Sequence, residues 1–215
     1  FSGIAFESSK VRKNNIFFAI KGNNFDGNKY ISEAIKRGAK VIISEKKLKL
    51  KKKIIYINSK NIRKLLAEVS FKIYNKIPKN LIAITGTNGK SSVADFYYQI
   101  LNLNNKKVAS IGTLGVKSKK FNLNLSNTTI NPLELGQILG KLQNKKIENV
   151  IMEASSHGLK QNRLDGLKFN TGIFTNLSHD HLDYHKNLKS YLNAKLYLFQ
   201  KLIKSKGNII TDKGI

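Results

Sequence analysis

Short apolar runs and helical spacings alternate along the chain, and their order predicts an α/β protein. Ile16 to Ile20 form an apolar run bounded by Lys and Gly, and Val41 to Ile43 and Ile54 to Ile57 read as two further buried strands. Between the first two, Ile31, Ala34 and Ile35 keep helical spacing until Gly38, which is placed as a C-terminal stop. A second helix carries Ile62, Leu65, Leu66, Val69 and Ile73 on one face, and Pro78 ends it. Residues 1–79 therefore read as a small α/β domain, with its boundary near Pro78 to Asn80.

From residue 80 the character changes. Leu81 to Ile84 form a strand, a Gly-rich turn follows, and Val93, Phe96, Tyr97, Ile100 and Leu101 mark one helical face. Strand, loop and helix open a doubly wound, mostly parallel sheet. Leu135, Ile138, Leu139 and Leu142 predict another helix, Asn149 to Glu153 and Gly172 to Asn176 two strands, and Leu188 to Ile203 a last long helix. Residues 80–215 are thus a second domain. The chain opens on Phe1 and stops just after an apolar run at Ile215, so both ends are expected to be cut.

Composition adds bounds. The hydrophobic fraction of 40% suits a folded core, and no apolar run approaches the length of about 18 residues that marks a membrane span. No secretory leader is visible, and a cytoplasmic address is expected. Without cysteine, disulfides and thiolate chemistry are excluded. The formal charge of +26 would suit a nucleic-acid partner, yet the lysines are scattered, and the dense run Lys46 to Lys53 is broken by leucines as a solvated loop would be. Nucleic-acid binding is disfavoured. A polyphosphate substrate would still gain from the positive field.

Chemistry concentrates in three segments. Gly86, Thr87, Asn88, Gly89, Lys90, Ser91 and Ser92 lie between a buried strand and an amphipathic helix, the context in which backbone N–H groups close around phosphate oxygens. There Lys90 would reach the terminal phosphates of ATP and Ser91 would hold Mg2+. Glu153 ends an apolar strand, where a nucleotide-binding sheet places a magnesium ligand.

The third segment, Leu177 to His185, packs three of the four histidines and two carboxylates together; magnesium is favoured there over zinc because a phosphate loop is present. On the last helix Leu188, Tyr191, Leu198, Phe199 and Leu202 share a stripe with Lys195. Burial would favour its neutral amine, which can add CO2 to become a carbamate and ligate Mg2+.

Together, Ile84 to Ser92, Asn127 to Thr129, Met152 to Arg163, Phe174 to His185 and Ala194–Lys195 resemble the Mur ligase family, within it the ligases that add the third residue of the peptidoglycan stem peptide. Phe17 to Gly27 and Tyr30 to Gly38 resemble its first domain, so the likeness spans nearly the whole chain. It implies a UDP-MurNAc-binding domain over 1–79, a truncated ATP-binding domain over 80–215, and an absent third domain that selects the incoming amino acid. On this resemblance Lys90, His181 and a carbamylated Lys195 are catalytic, and Ser91, Glu153, His181 and Lys195 organise magnesium. Ser8, Asn127, Thr128, Thr129, Ser155, Gln161 and Arg163 contact UDP-MurNAc-dipeptide, with the Lys21 to Gly27 loop near its uridine end. The resemblance further implies an acyl-phosphate route to an amide bond with meso-diaminopimelate or L-lysine, a monomer acting on small molecules without a membrane, and an inactive fragment.

The chain departs from the family pattern at Glu7 to Lys10, where Asp-Ser-Arg is common, and at Ile130, where Pro is common. A sister ligase, a folylpolyglutamate synthase, a basic nucleic-acid-binding ATPase and a noncatalytic binding module stay open as alternatives.

Overall fold

The computed structural model describes residues 1–22, 25–47 and 53–212, in two compact units, Phe1–Leu66 and Ala67–Ile215. Part of the Lys21 to Gly27 loop and most of the lysine run lie outside the described residues.

In the first unit β1 (Gly3–Ala5), β2 (Asn15–Phe18), β3 (Val41–Ser44) and β4 (Ile55–Asn58) form a parallel sheet in that order. Helix α1 (Ile31–Lys36) stops at Gly38, whose φ of 104° lies in the region where a side chain would be strained. Phe17, Ala34 and Ile42 lie in one apolar cluster. The buried reading of the fourth strand is corrected: β4 is an edge strand, and Ile55 is 55% exposed, because only β3 pairs with it.

The division between the units falls within α2 (Ile62–Ile73). Its buried positions are Ile62, Leu66, Ala67, Ser70 and Phe71, a face rotated from the expected one, and Ile73 is exposed.

The second unit holds a six-stranded sheet in the order β10-β9-β5-β8-β6-β7. These are β5 (Asn80–Thr85), β6 (Val108–Gly112), β7 (Gly115–Ser118), β8 (Asn149–Glu153), β9 (Phe169–Phe174) and β10 (Ile203–Thr211). All neighbours are parallel except β6 and β7, which form a hairpin. The helices are α3 (Lys90–Leu103), α4 (Pro132–Asn144), α5 (Ser156–Lys160), α6 (Leu182–His185) and α7 (Leu188–Tyr197), which continues into a π turn over Leu198–Leu202. Asn131 and Asn187 cap α4 and α7 by accepting backbone N–H bonds.

Two expectations shift here. Strand β9 begins at Phe169 and ends at Phe174, so Thr175 and Asn176 belong to the loop that follows it. On α3 the buried residues are Ala94 and Tyr98, whereas Phe96 is 60% exposed and Ile100 nearly as much; five apolar residues at similar spacing left the inward direction undetermined. Among the described residues no helix is long and apolar enough to cross a membrane.

Candidate functional site

Strand β5 delivers the chain to Gly86 at the carboxyl end of the sheet, between its neighbours β8 and β9, where open α/β sheets bind ligands. Gly86 has φ 145°, and a Cβ there would stand 1.9 Å from the Thr175 hydroxyl; Gly89, at φ 80°, turns the chain into α3. The turn is held from the loop after β9. Asn88 N donates to Asn176 Oδ1 at 2.9 Å, Thr175 Oγ1 donates to Asn88 O at 2.7 Å, and Ser178 N donates to Thr87 Oγ1 at 3.0 Å.

A cavity of about 350 Å³ opens on this turn. Its lining includes the whole run Gly86 to Ser92 together with Thr113, Thr128, Glu153, Ser155, Ser156, His181, Tyr191 and Lys195. Segments far apart in sequence thus meet: the phosphate loop, the end of β8, the loop before α4, the histidine segment and α7.

Lys195 is 1% exposed, as its helical stripe requires, and Nζ donates to Gly86 O at 2.5 Å with the Tyr191 ring 4.2 Å away. Burial pushes its ammonium down to about 7, Lys90 pushes the same way, and Asp180 opposes both. Lys90 Nζ donates to Gly86 O at 3.0 Å and to Thr87 O at 2.7 Å; burial lowers its pKa against the pull of Glu153 and Asp180.

Glu153, 3% exposed, accepts through Oε1 from the Ser91 hydroxyl at 2.9 Å and from Thr113 N at 2.9 Å, and through Oε2 from the Thr113 hydroxyl at 3.2 Å. The carboxylate rests against Gly112, where a Cβ would fall 2.2 Å from Oε1. Thr113 Oγ1 lies 2.9 Å from Thr128 Oγ1, and Thr129 Oγ1 donates to the Glu153 carbonyl at 3.0 Å while accepting from Ser155 N at 2.9 Å.

Of the expected substrate contacts, Thr128 and Ser155 line the cavity, and buried Thr129 ties Ser155 to β8. Arg163 donates to Gln161 Oε1 at 3.1 and 2.8 Å and to the Thr129 carbonyl, and Gln161 donates to the Tyr184 hydroxyl at 3.2 Å. Asn127 is exposed and donates to Ser126 Oγ at 3.2 Å. In the first unit Ser8 is buried and donates to Glu33 Oε2 at 2.9 Å.

His181 sits at φ 51° beside Asp180, its Nε2 3.5 Å from Oδ2. Among the described residues no three or more His, Asp and Glu side chains are grouped as the ligands of one metal ion would be. The donors that do converge, the Ser91 hydroxyl and the Glu153 carboxylate, are hard oxygens that suit Mg2+ completed by water and phosphate. Sequence reasoning missed Thr113, Gly112, Thr175 and Asn176, and named Tyr191 only as an apolar position.

A family model described as "Mur ligase middle domain" matches residues 84–213, and one described as "Mur ligase family, catalytic domain" matches residues 1–81. The chain belongs to the Mur ligase family. The chain is 44% identical over 206 residues to a Rickettsia felis protein named UDP-N-acetylmuramoyl-L-alanyl-D-glutamate--2,6-diaminopimelate ligase, covering 93% of this chain and 38% of the relative. A Clostridium tetani protein of the same name is 39% identical over 217 residues, covering 98% of this chain and 44% of the relative. A solved structure bearing that ligase's name superposes with a TM-score of 0.85 at 28% identity, over 98% of this chain and 48% of that one. The fold is shared more distantly with a Thermotoga maritima MurF ligase in complex with ADP, at TM-score 0.59 and 22% identity, over 97% of this chain and 45% of that one. The chain spans less than half the length of these relatives.

Proposed function

We propose that the full-length protein carrying this chain is an ATP-dependent ligase that adds the third amino acid to UDP-MurNAc-L-Ala-D-Glu in peptidoglycan synthesis. The relatives' names favour 2,6-diaminopimelate over lysine as that amino acid. The observation that carries the reading is the convergence of the Gly86–Ser92 turn, Glu153, Lys195, Thr128 and Ser155 on one cavity. Residues 1–79 are assigned to UDP-MurNAc binding, with Ser8 and the Lys21 to Gly27 loop toward the uridine, and 80–215 to ATP.

In this reading the dipeptide carboxylate attacks the γ-phosphorus of ATP and ADP leaves. The amine then attacks the acyl carbon of the acyl-phosphate, inorganic phosphate departs, and the amine loses a proton. The protein's task is to bring anions together and hold them in line. Backbone N–H groups of the turn and the Lys90 ammonium bind the phosphates, and Thr128, Ser155, Asn127, Gln161 and Arg163 orient the dipeptide.

Magnesium, held by Ser91, Glu153, His181 and Lys195, would neutralise charge on the reacting oxygens. Its fit rests on the hydroxyl and carboxylate donors already in contact. Lys195 suits carbamylation because a buried amine with a pKa near 7 is substantially neutral at physiological pH. The carbamate would exchange a second buried cation beside Lys90 for an anion.

The test is phosphate release by the full-length protein with ATP, Mg2+ and a panel of amino acids. Release is expected only when UDP-MurNAc-L-Ala-D-Glu is present, and most strongly with a diamino acid. Turnover of UDP-MurNAc-tripeptide or a folate in its place would assign the protein to a sister ligase.

A further inference from the structure

His185 is fully buried at the end of α6, and the proposed chemistry leaves it without a task. Its Nε2 lies 3.0 Å from the hydroxyl of Ser156, a residue 2% exposed that lines the cavity next to Ser155. His185 Nδ1 is buried with no hydrogen-bond partner. The ring packs against Tyr184, His157 and Tyr191 at centroid distances of 4.9, 5.5 and 5.1 Å.

These contacts decide the tautomer. Burial, and after it the positive charge of Lys160, push the His185 imidazole down to about 4, so the ring is neutral, with hydrogen on one nitrogen and a lone pair on the other. Hydrogen on Nδ1 would leave a buried donor unpaired, and orphaned buried N–H groups are rarer than under-satisfied acceptors. Hydrogen on Nε2 donates to Ser156 Oγ and leaves only a lone pair without a partner. With its oxygen accepting from His185, Ser156 has its own O–H left to donate into the cavity.

We propose that His185 is a positioning residue that orients the Ser156 hydroxyl as a hydrogen-bond donor to an anionic oxygen of the dipeptide's reacting carboxyl group, or of the acyl-phosphate made from it. This rests on the ligase reading and extends it, since the donor acts on charge that develops as the acyl-phosphate forms and collapses. A donor of this kind raises kcat more than it lowers KM.

The experiment compares Ser156→Ala, His185→Phe, the double variant and His185→Gln in the full-length protein, by kcat, by KM for dipeptide and by ATP affinity. His185→Phe keeps an aromatic ring without the donor, and Gln offers an amide N–H near the former Nε2. Ser156→Ala and His185→Phe are each expected to lower kcat roughly tenfold to a hundredfold, the range for one hydrogen bond to a charged group. ATP affinity should hold, the double variant should lose no more than either single one, and His185→Gln should recover much of the loss.

Full kcat in Ser156→Ala overturns the inference even if His185→Phe does not fold, and so do single losses that multiply in the double variant. A wild-type protein that releases no phosphate with any of the acceptors overturns the ligase reading and this inference with it. An active wild type with an unimpaired Ser156→Ala variant removes the inference alone.

Discussion

Lys90 and Lys195 donate to the same acceptor, the Gly86 carbonyl, at 3.0 and 2.5 Å. Two ammonium groups on one oxygen repel each other, and Lys195, the more buried, is the one whose pKa falls to about 7. The turn that opens the phosphate loop therefore carries a latent conflict of charge, and neutralising Lys195 relieves it.

That conflict makes stability depend on pH. The unfolded chain holds the Lys195 proton up to its ordinary value of 10.5, whereas the folded chain releases it near 7, so between these values the unfolded state binds more protons. Stability from this group therefore rises with pH across the window, and below pH 7 the full cost of a buried ammonium is present. Lys195→Met is expected to stabilise the protein at pH 6.5 by on the order of 3 kcal/mol, with the advantage shrinking toward pH 10. Urea midpoints in CO2-free buffer at both ends of the range measure it, and equal pH slopes for the two proteins would refute the assignment.

The same amine gives a chemical prediction. If a carbamate on Lys195 is required, Lys195→Ala loses at least about 100-fold in kcat, the scale on which charge stabilisation in a closed site acts. Added formate or acetate should restore part of that rate by placing a carboxylate where the carbamate stood. Absence of rescue in a folded variant that still binds ATP would remove the carbamate from the mechanism.

Thr113 bridges Glu153 and Thr128 in the wall of the cavity. Its N–H and hydroxyl both donate to the Glu153 carboxylate, and its hydroxyl lies 2.9 Å from that of Thr128. Thr113→Val keeps the shape and the N–H but deletes the hydroxyl. The Mg2+ concentration for half-maximal activity and the KM for dipeptide are expected to rise together, by roughly threefold to tenfold for one polar contact. A change in only one of the two would show that Thr113 does not couple them.

How much of this was legible in sequence depends on where each residue's information lies. The phosphate turn announces itself locally, because glycines, Lys90 and a strand–helix context are contiguous. Lys195 was readable because helical periodicity places it among apolar neighbours, and it is buried there. Thr113 carries no such signal: it sits in the turn between β6 and β7, and only sheet pairing brings it to Glu153. Thr175 and Asn176 continue the strand-like run in sequence, and nothing local distinguishes the end of β9 from the loop that grips Asn88. The exposed β4 and the rotated face of α3 failed for another reason: periodicity identifies an element without fixing what packs on each side.

Gly112 yields the sharpest steric prediction. A Cβ there would lie 2.2 Å from Glu153 Oε1 and 2.5 Å from its carboxyl carbon, well inside contact distance, and the carboxylate is fixed by Ser91 and Thr113. The residue ends β6, which β8 separates from the β5 strand leading into the phosphate turn, and the three nearest atoms to an added Cβ all belong to Glu153, so substitution should displace Glu153 before it disturbs the backbone of residues 86–89. Gly112→Ala is therefore expected to fold, with a loss of about 1 to 3 kcal/mol typical of overpacking, and to lose magnesium-dependent activity far more than nucleotide affinity measured in EDTA. Equal losses in both would mean that the added methyl distorts the turn itself; undiminished magnesium dependence would mean that Glu153 is not the carboxylate that holds the ion.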